Sequence, residues 1–285
     1  MINAFQSAAL VNIIFCIILY IPNFFMQFLK WRCVIRSRFP DIKNSVVIQS
    51  LLFGVTLGFV TPGNLGDLAR ALYINKYDRV VVTGLNIIDK LSGLIVFFSI
   101  GIVALNYLII TKFNWTDLLL IPFNILSLLV LLVIWLLALN PHLVKSGALK
   151  ISGKSSIRIK VEHLVSCLDG FSRAHSLRIL SYAFLWFIVI LLQYHVLILA
   201  FENSSFMHSF WSVGATLFTK ILLPISFGDL GIREGAAVYY YSLFGVAQST
   251  AFNAALLIFV INFILPALVG SYFVFKLHWE LNSKK

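Results

Sequence analysis

Pro62-Gly63-Asn64-Leu65-Gly66-Asp67-Leu68-Ala69-Arg70 interrupts an apolar run that begins near Ser45. How the chain behaves there decides the fold. Suppose that run, Ser45–Thr61, crosses a bilayer completely, and that the similar run Phe210–Ile225 does too. The segment 140–178, which carries Lys145, Lys150, Lys154, Arg158, Lys160, Arg173 and Arg178, then falls on the outer side. Suppose instead that both runs enter and turn back at their glycine-rich ends. Segments 30–43, 71–79, 140–178 and the tail then share one side, and only Lys112 is left on the other. Cytoplasmic loops collect Lys and Arg, so the expected topology has five full spans and two re-entrant helical hairpins, about 45–78 and 209–246. The amino terminus is expected outside and the carboxy terminus in the cytoplasm.

The composition sets the class. Of 285 residues, 60% are hydrophobic and 12% charged, too few charges to cover so much apolar surface in water. Apolar runs of about twenty residues mark spans over Ala8–Leu29, Val80–Ile110, Leu118–Leu139, Ile179–Phe201 and Thr250–Lys276. The fold class is therefore an all-α integral membrane protein, in the plasma membrane. No polar stretch is long enough to fold separately, so residues 1–285 are expected to form a single domain. The first run has no cleavage site and is followed by Lys30-Trp31-Arg32, as in a retained span rather than a signal peptide. Between Asn140 and Arg178, the positions Ile157, Val161, Leu164, Val165, Leu168 and Phe171 recur at helical spacing. They predict an amphipathic helix on the membrane surface with Arg158, Lys160 and Arg173 toward the headgroups.

The net charge of +11 would suggest nucleic acid in a soluble protein. In a membrane chain it reflects loop orientation and attraction to anionic headgroups, and no basic-aromatic recognition module is visible. The expected partners are membrane lipids, with no nucleic acid. Cys16, Cys33 and Cys167 are scattered, and the histidines lack metal-binding spacing, so no metal or cofactor is expected.

The second hairpin ends in Pro224-Ile225-Ser226-Phe227-Gly228-Asp229-Leu230-Gly231-Ile232-Arg233-Glu234-Gly235. Gly63-Asn64-Leu65-Gly66 matches Gly228-Asp229-Leu230-Gly231, each with a proline before it (Pro62, Pro224) and an arginine after it (Arg70, Arg233). Broken elements in corresponding places of oppositely oriented halves are the pattern of inverted-repeat transporters, with the site where the halves meet. Glycines such as Gly66 and Gly235 permit sharp turns, and Asn64 or Asp229 is placed to cap the half-helix leading out. Eight ionisable groups fall in or beside these segments: Asp67, Arg70, Asp89, Lys90, Lys220, Asp229, Arg233 and Glu234. Charge at mid-bilayer costs about 2.5–3.5 kcal/mol per group, so they must face each other or a wet cavity. Arg70 and Arg233, near half-helix starts, could hold a phosphate. Equally, Asp67–Arg70 and Asp229–Arg233 lie at helical pairing distance and could lock the hairpins. Asp89, Lys90 and Lys220 could instead lie shallow and reach the interface.

At these motifs the chain resembles the lysylphosphatidylglycerol synthase transmembrane region, a flippase-like family with stand-alone members. The resemblance rests on Pro62 to Arg70, of the form Pro-Gly-x-Leu-Gly-(Glu/Asp)-x-x-Arg, and on the Gly228–Gly235 motif. It implies a re-entrant, inverted-repeat fold, movement of a phospholipid between leaflets, and Asp67, Arg70, Arg233 and Glu234 as functional core. It also implies one more span ahead of the one ending near Trp31-Arg32, and in the bifunctional members an aminoacyl-transferase domain; the 285 residues start too late for that span, as a genuine variation or as a truncation, and the transferase domain is not expected in them. The expected function is thus binding or moving an anionic phospholipid or lipid-linked glycan headgroup, without enzymatic chemistry. A membrane transferase using Asp67 or Glu234 as base, and a non-transporting scaffold of envelope glycan assembly, stay open, as do a homo-oligomer and an envelope-biosynthesis partner.

Overall fold

A computed structural model describes residues 10–113, 116–152, 156–223 and 230–282. Among them there is no β-strand; the elements are helices α1 (Leu10–Arg36), α2 (Asn44–Phe59), α3 (Arg70–Tyr73), α4 (Arg79–Lys112), α5 (Asp117–Leu139), α6 (Pro141–Ile151), α7 (Ser156–Val165), α8 (Arg173–Phe201), α9 (Phe206–Leu222), α10 (Ile232–Ser242), α11 (Gln248–Phe259) and α12 (Leu265–Asn282). A π-helical turn, Val260–Ile264, joins α11 to α12 into one long rod.

Among the described residues, five stretches are long and apolar enough to cross a membrane: Leu10–Arg36, Arg79–Lys112, Leu118–Leu139, Arg173–Phe201 and Gln248–Trp279. They coincide with the five spans read from the sequence, so the chain is an all-α, multi-pass membrane protein. Leu118–Leu139 makes the point most sharply. It buries none of its apolar window against the rest of the chain, and Leu118, Leu126 and Leu128 are over 60% exposed. A helix that is apolar all round and uncovered by protein needs lipid as its solvent. The two shorter apolar runs fold as α2 and α9, 16 and 17 residues long. Segment 140–178 holds two short helices, α6 and α7, and a 3₁₀ turn Ser166–Leu168 rather than one surface helix.

Three long helices organise the packing. α1 runs antiparallel to α8, the two joined by a buried amide pair, Asn23 Nδ2 donating to Gln193 Oε1 at 2.8 Å. α4 lies between them and α9. Two apolar cores form along this frame. One gathers the amino-terminal half of α4 and the carboxy-terminal half of α1 around α2 (Trp31, Ile35, Leu51, Leu85). The other joins α8 to α9, α10 and α11 (Phe187, Tyr194, Leu217, Tyr241, Ala254). Each core carries one of the glycine-rich motifs, and α2 meets the π-helical turn and α12.

The first motif turns the chain by consecutive left-handed residues, Gly63 (φ 57) and Asn64 (φ 55). Asn64 makes no side-chain cap. The cap comes instead from Thr61, whose Oγ1 accepts from the Gly66 amide at 2.6 Å, because a left-handed Asn64 cannot also reach over the next turn. A 3₁₀ turn, Leu65–Ala69, then leads into α3. Gly66 is required by close approach: a Cβ there would sit 2.1 Å from the Leu57 carbonyl oxygen.

Candidate functional site

Intramembrane charge must be matched locally, and the structure does this in two separate clusters. The first assembles around Arg70. Its Nε and Nη2 donate to the Asp67 carboxylate at 2.8–3.0 Å, and Nη1 donates to Asp89 Oδ2 at 3.0 Å. Asp89 is 3% exposed and Arg70 4%. Lys30 completes the set: its Nζ lies 3.4 Å from Asp89 Oδ1 and donates to the Asp89 carbonyl at 2.7 Å. Two carboxylates and two cations thus cancel. Aromatic faces close the cluster, with Arg70 over Trp31 and Lys30 over Trp186, each 5.1 Å from the ring centre. Trp31 is in turn held by Ser50, whose Oγ accepts from Nε1 at 3.0 Å.

Neighbouring helices fix this geometry. Gly54 on α2 leaves room for the ion pair, since a Cβ there would come within 2.6 Å of Asp67 Oδ1. From α4, Asn86 donates to the Asp67 carbonyl at 2.8 Å. Lys90, one residue beyond Asp89, donates to the Asn64 carbonyl at 2.8 Å and to that of Gly63 at 3.3 Å. Asp89 and Lys90 therefore belong to the first motif. Lys30 is the member of this cluster that the sequence does not single out. It was grouped with the basic residues flanking the first span, yet it is 4% exposed inside α1. The signal that could have found it is its place in the last turns of a span, beside a tryptophan.

The second cluster is smaller. Arg233 and Glu234, adjacent in α10, are 1% and 3% exposed. Arg233 Nη2 and Nε donate to Glu234 Oε1 at 2.6 and 3.1 Å. The other carboxylate oxygen, Oε2, accepts the Gly231 amide at 2.6 Å and so caps α10. Arg233 lies over Phe259 and Phe263, 4.9 and 5.4 Å from their centres. Its Nη1 is buried and has no hydrogen-bond partner among the described residues. Lys220, at the end of α9, meets the same Phe263 ring at 5.0 Å. Gly235 sits in the first turn of α10, where a Cβ would meet open space. Pro224, Gly228 and Asp229 lie outside the described residues, so the expected Asp229–Arg233 pair is not placed; the partner Arg233 has is Glu234.

Arg233 reaches the π-helical turn through Phe263, whereas the described partners of Arg70 lie on α1, the 3₁₀ turn and α4. Phe59, at the end of α2, stacks on Phe259 at 5.9 Å, and Phe259 also carries Arg233. Among the described residues, no hydrogen bond or ion pair joins the two clusters, and no group of three His, Cys, Asp or Glu side chains comes together as metal ligands do.

An open cavity of about 420 Å³ lies between α2, α3 and α12, lined by Asp41, by Lys43 just before α2, by Gln49 of α2, Tyr73 of α3, Lys76, Tyr77 and Lys276 of α12 among others. Tyr73, three residues beyond Arg70, donates its hydroxyl to Gln49 Oε1 at 3.0 Å and so forms its wall.

The comparisons with known proteins agree with this architecture. No solved structure matches the chain. It is similar to the UPF0104 membrane protein MJ1595 of Methanocaldococcus jannaschii, 20% identical over 275 residues, which covers 90% of this chain and 82% of that protein. Residues 1–270 match the family described as the lysylphosphatidylglycerol synthase TM region, the family that the two motifs resemble. On that match over nearly its whole length, the chain belongs to the lysylphosphatidylglycerol synthase transmembrane-region family.

Proposed function

We propose that this protein is a flippase-like transporter that binds the headgroup of an anionic phospholipid or lipid-linked glycan within the bilayer, with Arg233 as the phosphate ligand. One observation carries this: the Arg233 guanidinium is held by Glu234 and two rings while Nη1 is a buried donor with no partner among the described residues. A buried donor without an acceptor costs about 1–3 kcal/mol, a cost that a phosphate oxygen arriving in the site would remove. Guanidinium geometry suits that acceptor.

Arg70 has a different part. Its Nε, Nη1 and Nη2 are all engaged by Asp67 and Asp89, so it fixes the first hairpin rather than offering a free fork. The lysine-lined cavity between α2, α3 and α12 supplies an approach for an anionic headgroup. The family description names a synthase of lysylphosphatidylglycerol, a phospholipid whose headgroup joins a phosphate to amines. An arginine beside a carboxylate, as in Arg233–Glu234, offers a partner to each. The re-entrant placement of α2 and α9, the inverted-repeat relation and the outside amino terminus are part of the same proposal.

The test is leaflet exchange in liposomes containing the purified full chain and fluorescent anionic, zwitterionic or lysyl-modified phospholipids, read by dithionite quenching. Exchange above protein-free liposomes that falls at least tenfold in Arg233→Ala supports the proposal. Baseline exchange with every lipid, from protein shown to be folded, removes it and leaves a scaffold or transferase.

A further inference from the structure

Away from both charge clusters, a second cavity of about 230 Å³ opens where the end of α1 meets the start of α8. Its lining brings Arg32 and Arg36 of α1 together with His175 and Arg178 of α8, beside Leu29 and Tyr182. Among the described residues, no carboxylate lines it, and none of the three arginines forms an ion pair. Arg36 is anchored through Nη2, which donates to the Ile42 carbonyl at 3.0 Å, while its Nε is buried without a hydrogen-bond partner. His175 Nδ1 is engaged with Ser172 Oγ at 2.9 Å. Arg32 rests at 6.0 Å from the Phe28 ring. Three uncompensated guanidinium groups facing one cavity repel each other and call for an anion with more than one acceptor oxygen.

The helical register shows which source of anion fits. On α1, Phe25, Leu29, Arg32 and Arg36 fall on one stripe, and on α8, Leu185, Tyr182, Arg178 and His175 do the same. Because the helices are antiparallel, the two stripes line up with matching polarity. Phe25 and Leu185, 48% and 45% exposed, lie at one end, the tyrosine in the middle and the bases at the other. A free phosphate would use only the basic end. An amphiphile uses the whole seam, its tail along Phe25 and Leu185 and its head among the arginines, as in basic pockets between spanning helices that hold anionic headgroups.

We infer that the seam between α1 and α8 is a binding site for an anionic phospholipid, its phosphate held by Arg32, Arg36 and Arg178. The site is separate from Arg233 and does not depend on the transport proposal. The lipid clips α1 to α8 at the end where their own side chains leave only positive charge.

Native mass spectrometry of the detergent-purified full chain, titrated with phosphatidic acid, phosphatidylglycerol and phosphatidylcholine, tests this. The anionic lipids should bind more tightly than phosphatidylcholine, and an R32Q/R178Q variant should lose about 30-fold in their affinity. Excess inorganic phosphate should not displace them. Equal affinity in the variant, or displacement by phosphate alone, overturns the inference; the second outcome assigns the cavity to a soluble anion. Should the variant fail to fold, a phosphatidic acid with a photoreactive headgroup answers on the unaltered protein. Cross-links must fall within residues 29–37 and 175–182, and labelling confined to other segments overturns the inference. Arg233→Ala should keep the adduct, so a failure of transport and a failure of this site are read separately.

Discussion

The two charged motifs solve one problem, buried charge in an apolar bundle, in opposite ways. Around the first, Lys30, Asp67, Arg70 and Asp89 come from α1, the 3₁₀ turn, α3 and α4, and every charge meets an opposite one. Around the second, adjacent residues of one helix pair with each other, and the guanidinium keeps a donor with no partner among the described residues. A closed network built from distant segments holds segments in place, because each member is fixed only when the others are. A local pair with a free edge is preassembled and can accept a ligand without first breaking its own bonds. On the function proposed above, the difference would give fold maintenance to the first motif and recognition to the second, even though their sequences look alike.

The largest effect should come from opening the closed network. Asp89→Ala leaves Lys30 and Arg70 buried with only Asp67 between them, and breaking a buried pair on one side costs about 3–5 kcal/mol. Thermal unfolding in detergent should show a large drop in midpoint, with expression reduced. A midpoint within a degree or two of the original would mean that the network is hydrated and contributes little, and the contrast between the motifs would collapse.

A smaller effect, and of another kind, is expected at the second motif. Arg233→Lys keeps the positive charge and its place over Phe259 and Phe263 but removes the planar fork. Losing charge-assisted hydrogen bonds to the headgroup costs about 1.5 kcal/mol or more, so lipid exchange should fall about tenfold while the melting midpoint changes little. A variant that melts early yet exchanges lipid normally would reverse the assignment, making the second motif the structural one.

The spans and the first tip were legible in the sequence because they rest on local signals: apolar length, glycine and proline at a break, Asp and Arg three apart. The pairing of Lys30 with Asp89 was not, since it joins residues 59 positions apart and no periodicity connects them. The same holds for Gly54, whose need appears only when Asp67 and Arg70 fold back onto α2. Lone amides in apolar spans are a further signal: Asn23 and Gln193, both buried, and half-buried Asn262 form a hydrogen-bonded chain across α1, α8 and the π-helical turn. That turn places Phe263 under Arg233, and a π-bulge is a frequent mark of a functional position. At the second tip, Asp229 lies outside the described residues, and the arginine's described partner, Glu234, also caps its own helix.

The smallest expected effect lies where the first motif hands the chain to α4. Asp78 caps that helix, its Oδ1 accepting from the Val80 and Val81 amides at 2.8 and 3.2 Å, and its Oδ2 lies 3.0 Å from His163 Nε2 of α7. The Val81 amide above all, with the Val80 amide and the nearby imidazole, holds its carboxyl below the usual range against the opposing effect of burial. A depressed carboxylate contributes stability that is present above the unfolded value, about 3.9, and is lost as pH falls through the folded value. Asp78→Ala should therefore cost about 1 kcal/mol at neutral pH, read as faster hydrogen exchange at the amides of Val80 to Val82, and the difference from the unaltered protein should vanish in strong acid. Asp78→Asn keeps a good cap and should lose only the exposed pair with His163, a few tenths of a kcal/mol. If Asn is as damaging as Ala, charge rather than capping holds this end of α4, and the first motif extends its electrostatic network beyond the buried four to the surface helix α7.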